Sequence, residues 1–411
     1  MDNVLAILLA GETGSRLAPL TLDRTKPAVP FGGKYRIIDF TLANCLHSGI
    51  RRVLVLTHYK SYSLQKHLRD GWTIFNPELG EYITAVSPQM RVSEEWYQGT
   101  ADAVFQNLYL LNRSGAEWFL VLSADHIYRM DYAAMLRQHI ESGSDVTIAC
   151  MEVPTEQAAG FSVLTTGKDL QVTGVRENTF TAESPPEQAG ILWASMGVYI
   201  FSSEVLFDIL HKDHLQETST HDFRRDILPR LVETRKTCAY RFGGTSGRVT
   251  QDRYWCDIRS LDVYYEANMD LLKPNPPIDL YQPDWLIWTY QQQSPPARTV
   301  PGSSGTEGIF INSILAGGVV IAGGSVNHSI LFPGVVIEDE SLVEDSILFS
   351  GVRIGRNAKI RKTIIDKHVS VPDDEIIGYD IKTDRKRFTV TEKGIVIVPK
   401  AYRFSIRTEI P

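Results

Sequence analysis

Toward its C-terminal end the chain repeats itself with a short period. Ser313–Ile321 reads SILAGGVVI, Ser329–Ile337 reads SILFPGVVI, Ser346–Ile354 reads SILFSGVRI and Thr363–Val371 reads TIIDKHVSV. These strings start 16, 17 and 17 residues apart. Helical repeat arrays use periods of roughly 33–47 residues and are excluded. β-Branched residues recur every few positions, with glycine at the turns. That is the pattern of a parallel β-helix built from hexapeptide steps, three of which close one triangular coil. Each coil buries its apolar face only by stacking on its neighbours. An ordinary sandwich would not generate such near-identical strings.

The first 150 residues follow a different rule. Val4–Ala10, Arg52–Thr57, Trp118–Ser123 and Val146–Cys150 are apolar runs, separated by helical patterns such as Asp102–Leu111 and Tyr132–Glu141. Uninterrupted apolar runs suit strands buried on both faces of a parallel sheet. The alternation predicts an α/β layered domain with its functional loops at the carboxyl ends of the strands. Ala194–Phe201 reads as another core strand. His221–Val232 reads as mostly helical, with Pro229 expected to kink or end it. Residues 273–306 are proline-rich and read as a boundary. The expected domains are 1–275 (α/β), a linker at 276–308, and the β-helix at 309–411.

Composition narrows the function classes. With 42 basic against 49 acidic residues the net charge is −7, which does not favour nucleic-acid binding. Four cysteines occur, none in a CxxC, so zinc and disulfide frameworks are not expected. The start, MDNVLAILLAGE, lacks the basic n-region of a signal peptide. The uncharged stretch Gly308–Ile337 holds six glycines and alternates like a strand, so it does not read as a membrane span. A cytoplasmic protein with no membrane partner is the expectation.

The strongest local signal is Leu9–Pro30, LAGETGSRLAPLTLDRTKPAVP. A buried strand leads into a loop with Gly11 and Gly14, then Ser15, Arg16 and Leu17. Glycines let backbone N–H groups approach a phosphate, and Arg16, Arg24 and Lys26 add positive charge. The spacing is neither a P-loop nor a GxGxxG dinucleotide loop.

Gly11–Pro30 resembles the signature of sugar-nucleotide pyrophosphorylases. The segments FGGKYRIIDF (31–40), NCLHSG (44–49), GWTIFN (71–76), WYQGTADA (96–103), DHIYRMDY (125–132), ASMG (194–197), STHDF (219–223) and YWCD (254–257) are similar to those of bacterial ADP-glucose pyrophosphorylases, also called glucose-1-phosphate adenylyltransferases. The resemblance covers nearly the whole chain. It implies a Rossmann-like nucleotidyltransferase domain with a mostly parallel sheet, followed by a left-handed parallel β-helix. It implies transfer of adenylyl from ATP to glucose 1-phosphate with release of pyrophosphate, in glycogen or starch synthesis. Mg²⁺ is the expected cofactor, held by Asp125 and Asp257. Arg16 and Lys26 match the phosphate-facing cations, and Gln98, Gly99 and Thr100 the segment against the base. Glu177 and Ser195 match the sugar site. Lys34, Arg385 and Arg387 match an effector site for a sugar phosphate or nucleotide.

Several ligand-facing positions depart from the family pattern. The loop usually reads GGRGSRL, whereas this chain has Glu12 and Thr13 in place of a glycine and an arginine. Asn178 stands where a lysine would grip the phosphate of glucose 1-phosphate, and Arg176, two positions earlier, is a candidate replacement. Ala124 replaces a glycine before Asp125, Ser162 a glycine before Val163, and Arg259 sits two residues after Asp257. Losing a cation and adding a carboxylate near a polyphosphate both oppose binding. Charge-assisted contacts are worth roughly 1.5–3 kcal/mol each. The departures therefore imply a weakly active or regulatory subunit of a heterotetramer with a catalytic paralogue. The alternative is a fully active homotetramer. A hexapeptide acyltransferase using His328 or His368 is a remote third reading.

Overall fold

The computed structural model describes residues 1, 3–12, 14–90, 96–155, 158, 160–177, 190–244, 248–249 and 253–404. Thr13 and Asn178 lie outside them. The chain forms two compact units, one from Met1–Glu12, Phe40–Trp255 and Gln282–Trp288, the other from Thr13–Asp39, Cys256–Tyr281 and Thr289–Pro411.

The first unit is built on a nine-stranded sheet among the described residues. Val4–Ala10 lies between Trp118–Ser123 and Arg52–Thr57, parallel to both, and Arg52–Thr57 pairs parallel with Tyr82–Val86. These are the apolar runs of the sequence, and Leu5, Ile7, Leu54, Phe119 and Val121 are almost wholly buried in the core. Beyond them the long strand Ile191–Ser202 runs antiparallel to Trp118–Ser123 and to Val146–Pro154. A register shift between Ser195 and Tyr199 breaks that strand. Gly197, at φ +68°, falls inside the break, where a Cβ would stand 2.7 Å from Ser123 Oγ.

Two helical expectations are refined. The pattern over Asp102–Leu111 resolves into two helices, Thr100–Phe105 and Leu108–Ser114. Asn107 separates them, its side-chain amide donating to Ala103 O and Tyr97 Oη instead of continuing the helix. Residues 221–232 resolve into a π-helical turn, Phe223–Ile227, and a helix, Leu228–Thr234. Pro229 therefore falls in the first turn of the second helix, where a missing N–H costs nothing.

The second unit carries the left-handed β-helix, whose strands form three sheets, parallel among the described residues except where Thr389–Val390 runs against Val396–Val398. In one ladder Ile321 pairs with Ile337, Ile337 with Ile354 and Ile354 with Val371. Each of these four is buried, as the repeat requires. Arg298–Val300 already pairs with Val320–Ala322, so coil structure begins within the proline-rich stretch. Gln282–Trp288, from the same stretch, belongs to the first unit, where the Trp285 indole donates to Asn44 Oδ1 at 3.0 Å.

The hydroxyl that opens every repeat has a defined task. Ser313, Ser329 and Ser346 each accept the N–H of the residue one coil later, Ser329, Ser346 and Thr363, at 3.1, 3.0 and 3.2 Å. Each also donates to the carbonyl two residues before it. The residue in front of each hydroxyl, Asn312, His328, Asp345 or Lys362, takes a positive φ of 44–49° to turn the corner. Ser346→Ala would leave the buried Thr363 N–H unpaired, at a cost of about 1–3 kcal/mol. Urea unfolding should show a lower midpoint with an unchanged slope.

Among the described residues no helix is long and apolar enough to cross a membrane.

Candidate functional site

In the first unit, the strand Val4–Ala10 ends at Gly11, where an added Cβ would stand 3.0 Å from His58 Cβ. His58 follows the neighbouring parallel strand, so both sit at carboxyl ends, where open α/β sheets bind ligands. Its ring stacks on Tyr97 and meets Trp96 edge-on.

Gln98, Gly99 and Thr100 form the turn into the helix Thr100–Phe105. The Gln98 N–H donates to Asp102 Oδ2 at 2.9 Å. Thr100 Oγ1 donates to Asp222 Oδ2 and accepts the Phe223 N–H, both at 3.0 Å, and the Ala101 N–H donates to His221 O at 2.7 Å. The STHDF segment is thus fastened to the turn. It is braced behind by Asp213, a buried carboxylate reached by Ser219, His221 and Arg230. A side chain at Gly99 has no room, because its Cβ would stand 2.5 Å from Thr220 O and closer still to His221 O.

Asp125 and His126 follow the central strand Trp118–Ser123 and are both buried, with His126 Nε2 3.5 Å from Asp125 Oδ1. The His126 ring packs edge-on against Trp255, which also meets Phe161. Ser195 is buried at the register break. Arg176 and Glu177 end the strand Val172–Glu177. Glu177 Oε2 accepts Arg225 Nε at 3.0 Å.

In the second unit, Gly14 takes φ +65°, and a Cβ there would stand 2.8 Å from Lys26 Cβ. Thr21 Oγ1 donates to Gly14 O at 2.8 Å and fixes the turn. Ser15 and Arg16 are exposed. Lys26 is 4% exposed and its Nζ lies 3.4 Å from Asp257 Oδ1, joining residues 231 positions apart. Arg259 Nε lies 3.9 Å from Asp257 Oδ2, so this departure puts a cation beside that carboxylate.

The effector candidates are also in the second unit. Lys34 is exposed, with its ammonium 5.2 Å from the Tyr35 ring centre. Arg385 is exposed, whereas Arg387 pairs with Glu375 at 2.8 Å and lies over Phe388 and Phe404. No described interaction joins Lys34 to either arginine.

Arg24, read from the sequence with the loop cations, joins a second charged group in this unit that sequence reading missed. Arg24, 4% exposed, donates through one nitrogen to both oxygens of buried Asp366 at 2.8 and 3.0 Å. Lys367 follows it. Burial, then the charges of Arg36 and Arg24, push the Lys367 ammonium down to about 7. A signal existed: Asp366 and Lys367 interrupt the fourth repeat where the two before it read Phe-Pro and Phe-Ser. Unfolded, a lysine keeps its proton to about pH 10.4. Between pH 7 and that value the unfolded chain binds more protons, so Lys367 makes stability rise with pH across this window. Below pH 7 it is charged in both states and adds no slope. Lys367→Met should therefore be more stable than the parent near pH 7, with the gap narrowing by pH 9.5. Melting curves of both proteins at matched pH values check this.

The chain matches the "Nucleotidyl transferase" family over residues 5–274 and the "GlmU-like, C-terminal hexapeptide" family over residues 295–398. Glucose-1-phosphate adenylyltransferase 2 of Vibrio cholerae is 55% identical over 405 residues, 98% of this chain and 100% of the relative. Glucose-1-phosphate adenylyltransferase of Shewanella baltica is 45% identical over 397 residues, 96% of this chain and 94% of the relative. That of Nitrosospira multiformis is 42% identical over 397 residues, 96% and 93%.

Proposed function

The chain belongs to the glucose-1-phosphate adenylyltransferase family, and we propose that it carries out that reaction itself, in the cytoplasm. An oxygen of the glucose 1-phosphate phosphate attacks the α-phosphorus of ATP. The bond from that phosphorus to the bridging oxygen breaks, and pyrophosphate leaves. Phosphate-to-phosphate transfer leaves the protein little covalent chemistry to do. Its work is in-line positioning and charge neutralisation.

One observation supports the reading above the rest. Lys26 and Asp257, both matching family site positions, come together at 3.4 Å from opposite ends of the α/β sequence. In this reading Lys26 and Arg16 face the phosphates of ATP, and Gly11, Gly14 and Ser15 let the backbone approach them. Gln98, Gly99 and Thr100 hold the base, with Thr100 fixed by Asp222. Glu177 and Ser195 orient the sugar.

Mg²⁺ fits the donor chemistry, because Asp125 and Asp257 offer hard carboxylate oxygens, which magnesium prefers. Bound there, the metal would neutralise charge on the phosphates. Arg259, beside Asp257, lowers the net negative charge available to it.

A second reading has specific support. Glu12, an exposed carboxylate beside Gly11, would repel a triphosphate. A regulatory subunit, silent alone and active on a catalytic partner in a tetramer, would tolerate it. Pyrophosphate release by the purified chain, with Mg²⁺ and both substrates, separates the two. Turnover supports catalysis, and a folded oligomer without turnover supports regulation. In the second case Glu12→Gly with Thr13→Arg and Asn178→Lys should restore activity. A sugar-phosphate or nucleotide effector, received by Lys34, Arg385 and Arg387, belongs to either reading.

A further inference from the structure

We propose that Arg225 binds the phosphate of glucose 1-phosphate, taking over from the lysine that position 178 lacks. The inference rests on the reading of the site as one for glucose 1-phosphate, and names the group that supplies its missing charge.

Glu177 matches the acid that contacts the sugar hydroxyls, and in sequence the residue after it is asparagine, a neutral side chain. The structure brings a cation to Glu177 from 48 positions further on: Arg225 Nε donates to Glu177 Oε2 at 3.0 Å. Arg176 precedes Glu177 on the same strand, and the two side chains leave opposite faces of the sheet.

Arg225 is anchored at its base and open at its tip. Its backbone N–H and that of Arg224 donate to Asp222 Oδ1 at 3.3 and 2.9 Å. The other oxygen of Asp222 accepts Thr100 Oγ1. A single carboxylate therefore ties Arg225 to the turn assigned to the base of ATP. The Arg225 side chain is nevertheless 64% exposed. A guanidinium carries five N–H donors in a planar fork. With Nε directed at Glu177, the terminal edge matches a phosphate bidentately. An ion pair this exposed adds little to stability, so removing Arg225 should cost ligand affinity more than fold.

The test uses the full chain and three variants: Arg225→Gln, Arg225→Lys, and Arg225→Gln combined with Asn178→Lys. Glucose 1-phosphate is titrated calorimetrically into protein saturated with a nonhydrolysable ATP analogue, and Mg-ATP is titrated separately. Arg225→Gln should weaken glucose 1-phosphate about tenfold or more, one lost charge-assisted contact, and leave ATP within about twofold. Arg225→Lys should keep most of the affinity, and Asn178→Lys should return most of what Arg225→Gln loses. Undiminished affinity in Arg225→Gln overturns the proposal. So does a loss that Asn178→Lys leaves uncorrected, which would mean that Arg225 only positions Glu177. Should Arg225→Gln lose ATP binding as well, Arg225→Lys decides, because retained affinity there supports a charge role and full loss overturns it. If the binding pattern holds and no pyrophosphate is released, the catalytic reading falls while this assignment stands. If the parent turns over and Arg225→Gln leaves the KM for glucose 1-phosphate unchanged, this assignment alone falls.

Discussion

Asp257→Asn should lower pyrophosphate release about 10³-fold, as should Asp125→Asn, with both proteins still folded. The substitution keeps the size of the side chain and removes one charge. In an adenylyl transfer the barrier is set mostly by charge on phosphate oxygens. A group that holds the neutralising metal is worth several kcal/mol there, and a 10³-fold loss corresponds to about 4 kcal/mol. Asp257 also faces the almost wholly buried Lys26, so its variant weakens that contact as well, keeping an acceptor oxygen without the charge. A fall of a few degrees in melting temperature is expected for Asp257→Asn. Asp125 Oδ1 stands 3.5 Å from His126 Nε2, and the melting curve of its variant reads what this carboxylate adds to stability. Steady-state assays beside melting curves read both effects. Retained turnover in either variant would remove that carboxylate from the site.

Gly99→Ala should be the most damaging single methyl group in the first unit. The obstructing atoms are the carbonyl oxygens of Thr220 and His221, which are backbone and cannot rotate aside. Overpacking costs typically 1–3 kcal/mol, and a clash with two fixed carbonyls belongs at the upper end, about 3 kcal/mol. The backbone at Gly99, with φ −164°, is extended and open to any residue. The penalty is therefore contact alone. To fit a methyl, the turn at Gln98–Thr100 must separate from Thr220–Phe223, loosening the hydrogen bonds from Thr100 to Asp222 and Phe223. The KM for ATP should rise along with the loss of stability. A melting temperature and KM both matching the parent would show that the two segments are not fastened as described.

Much of the architecture can be read from the chain because burial writes itself into pattern. Strands packed on both faces need unbroken apolar runs, and Val4–Ala10, Arg52–Thr57 and Trp118–Ser123 have the bounds their sequence suggests. The β-helix is equally legible, since each coil must present the same inward residues as the one below it. Even the repeated hydroxyl has a structural cause in the Ser313–Ser329–Ser346–Thr363 ladder. Pattern fails where side chains override it. Asn107 divides a helix through its own amide, which periodicity does not record. Proline-rich composition marked residues 273–306 as a boundary, yet Trp285 there is buried, because lack of regular structure is not lack of packing.

The candidate site was legible in its residue types and not in its pairings. Glycine, lysine and aspartate positions were visible as motifs, but the contact of Glu177 with Arg225 joins residues with no sequence relation. Arg176 was the nearer cation along the chain, and sequence alone does not choose between it and Arg225. The buried Arg24–Asp366 pair joins residues 342 positions apart, and only the break in the fourth repeat hinted at it.

The central claim is that this chain completes adenylyl transfer without a partner. Purified protein, confirmed as folded by its melting transition, should release pyrophosphate from ATP and glucose 1-phosphate in the presence of Mg²⁺. Release should depend on both substrates and disappear in Asp257→Asn. A folded preparation that releases none, with or without a sugar-phosphate or nucleotide effector, would contradict the claim and leave the regulatory reading in its place.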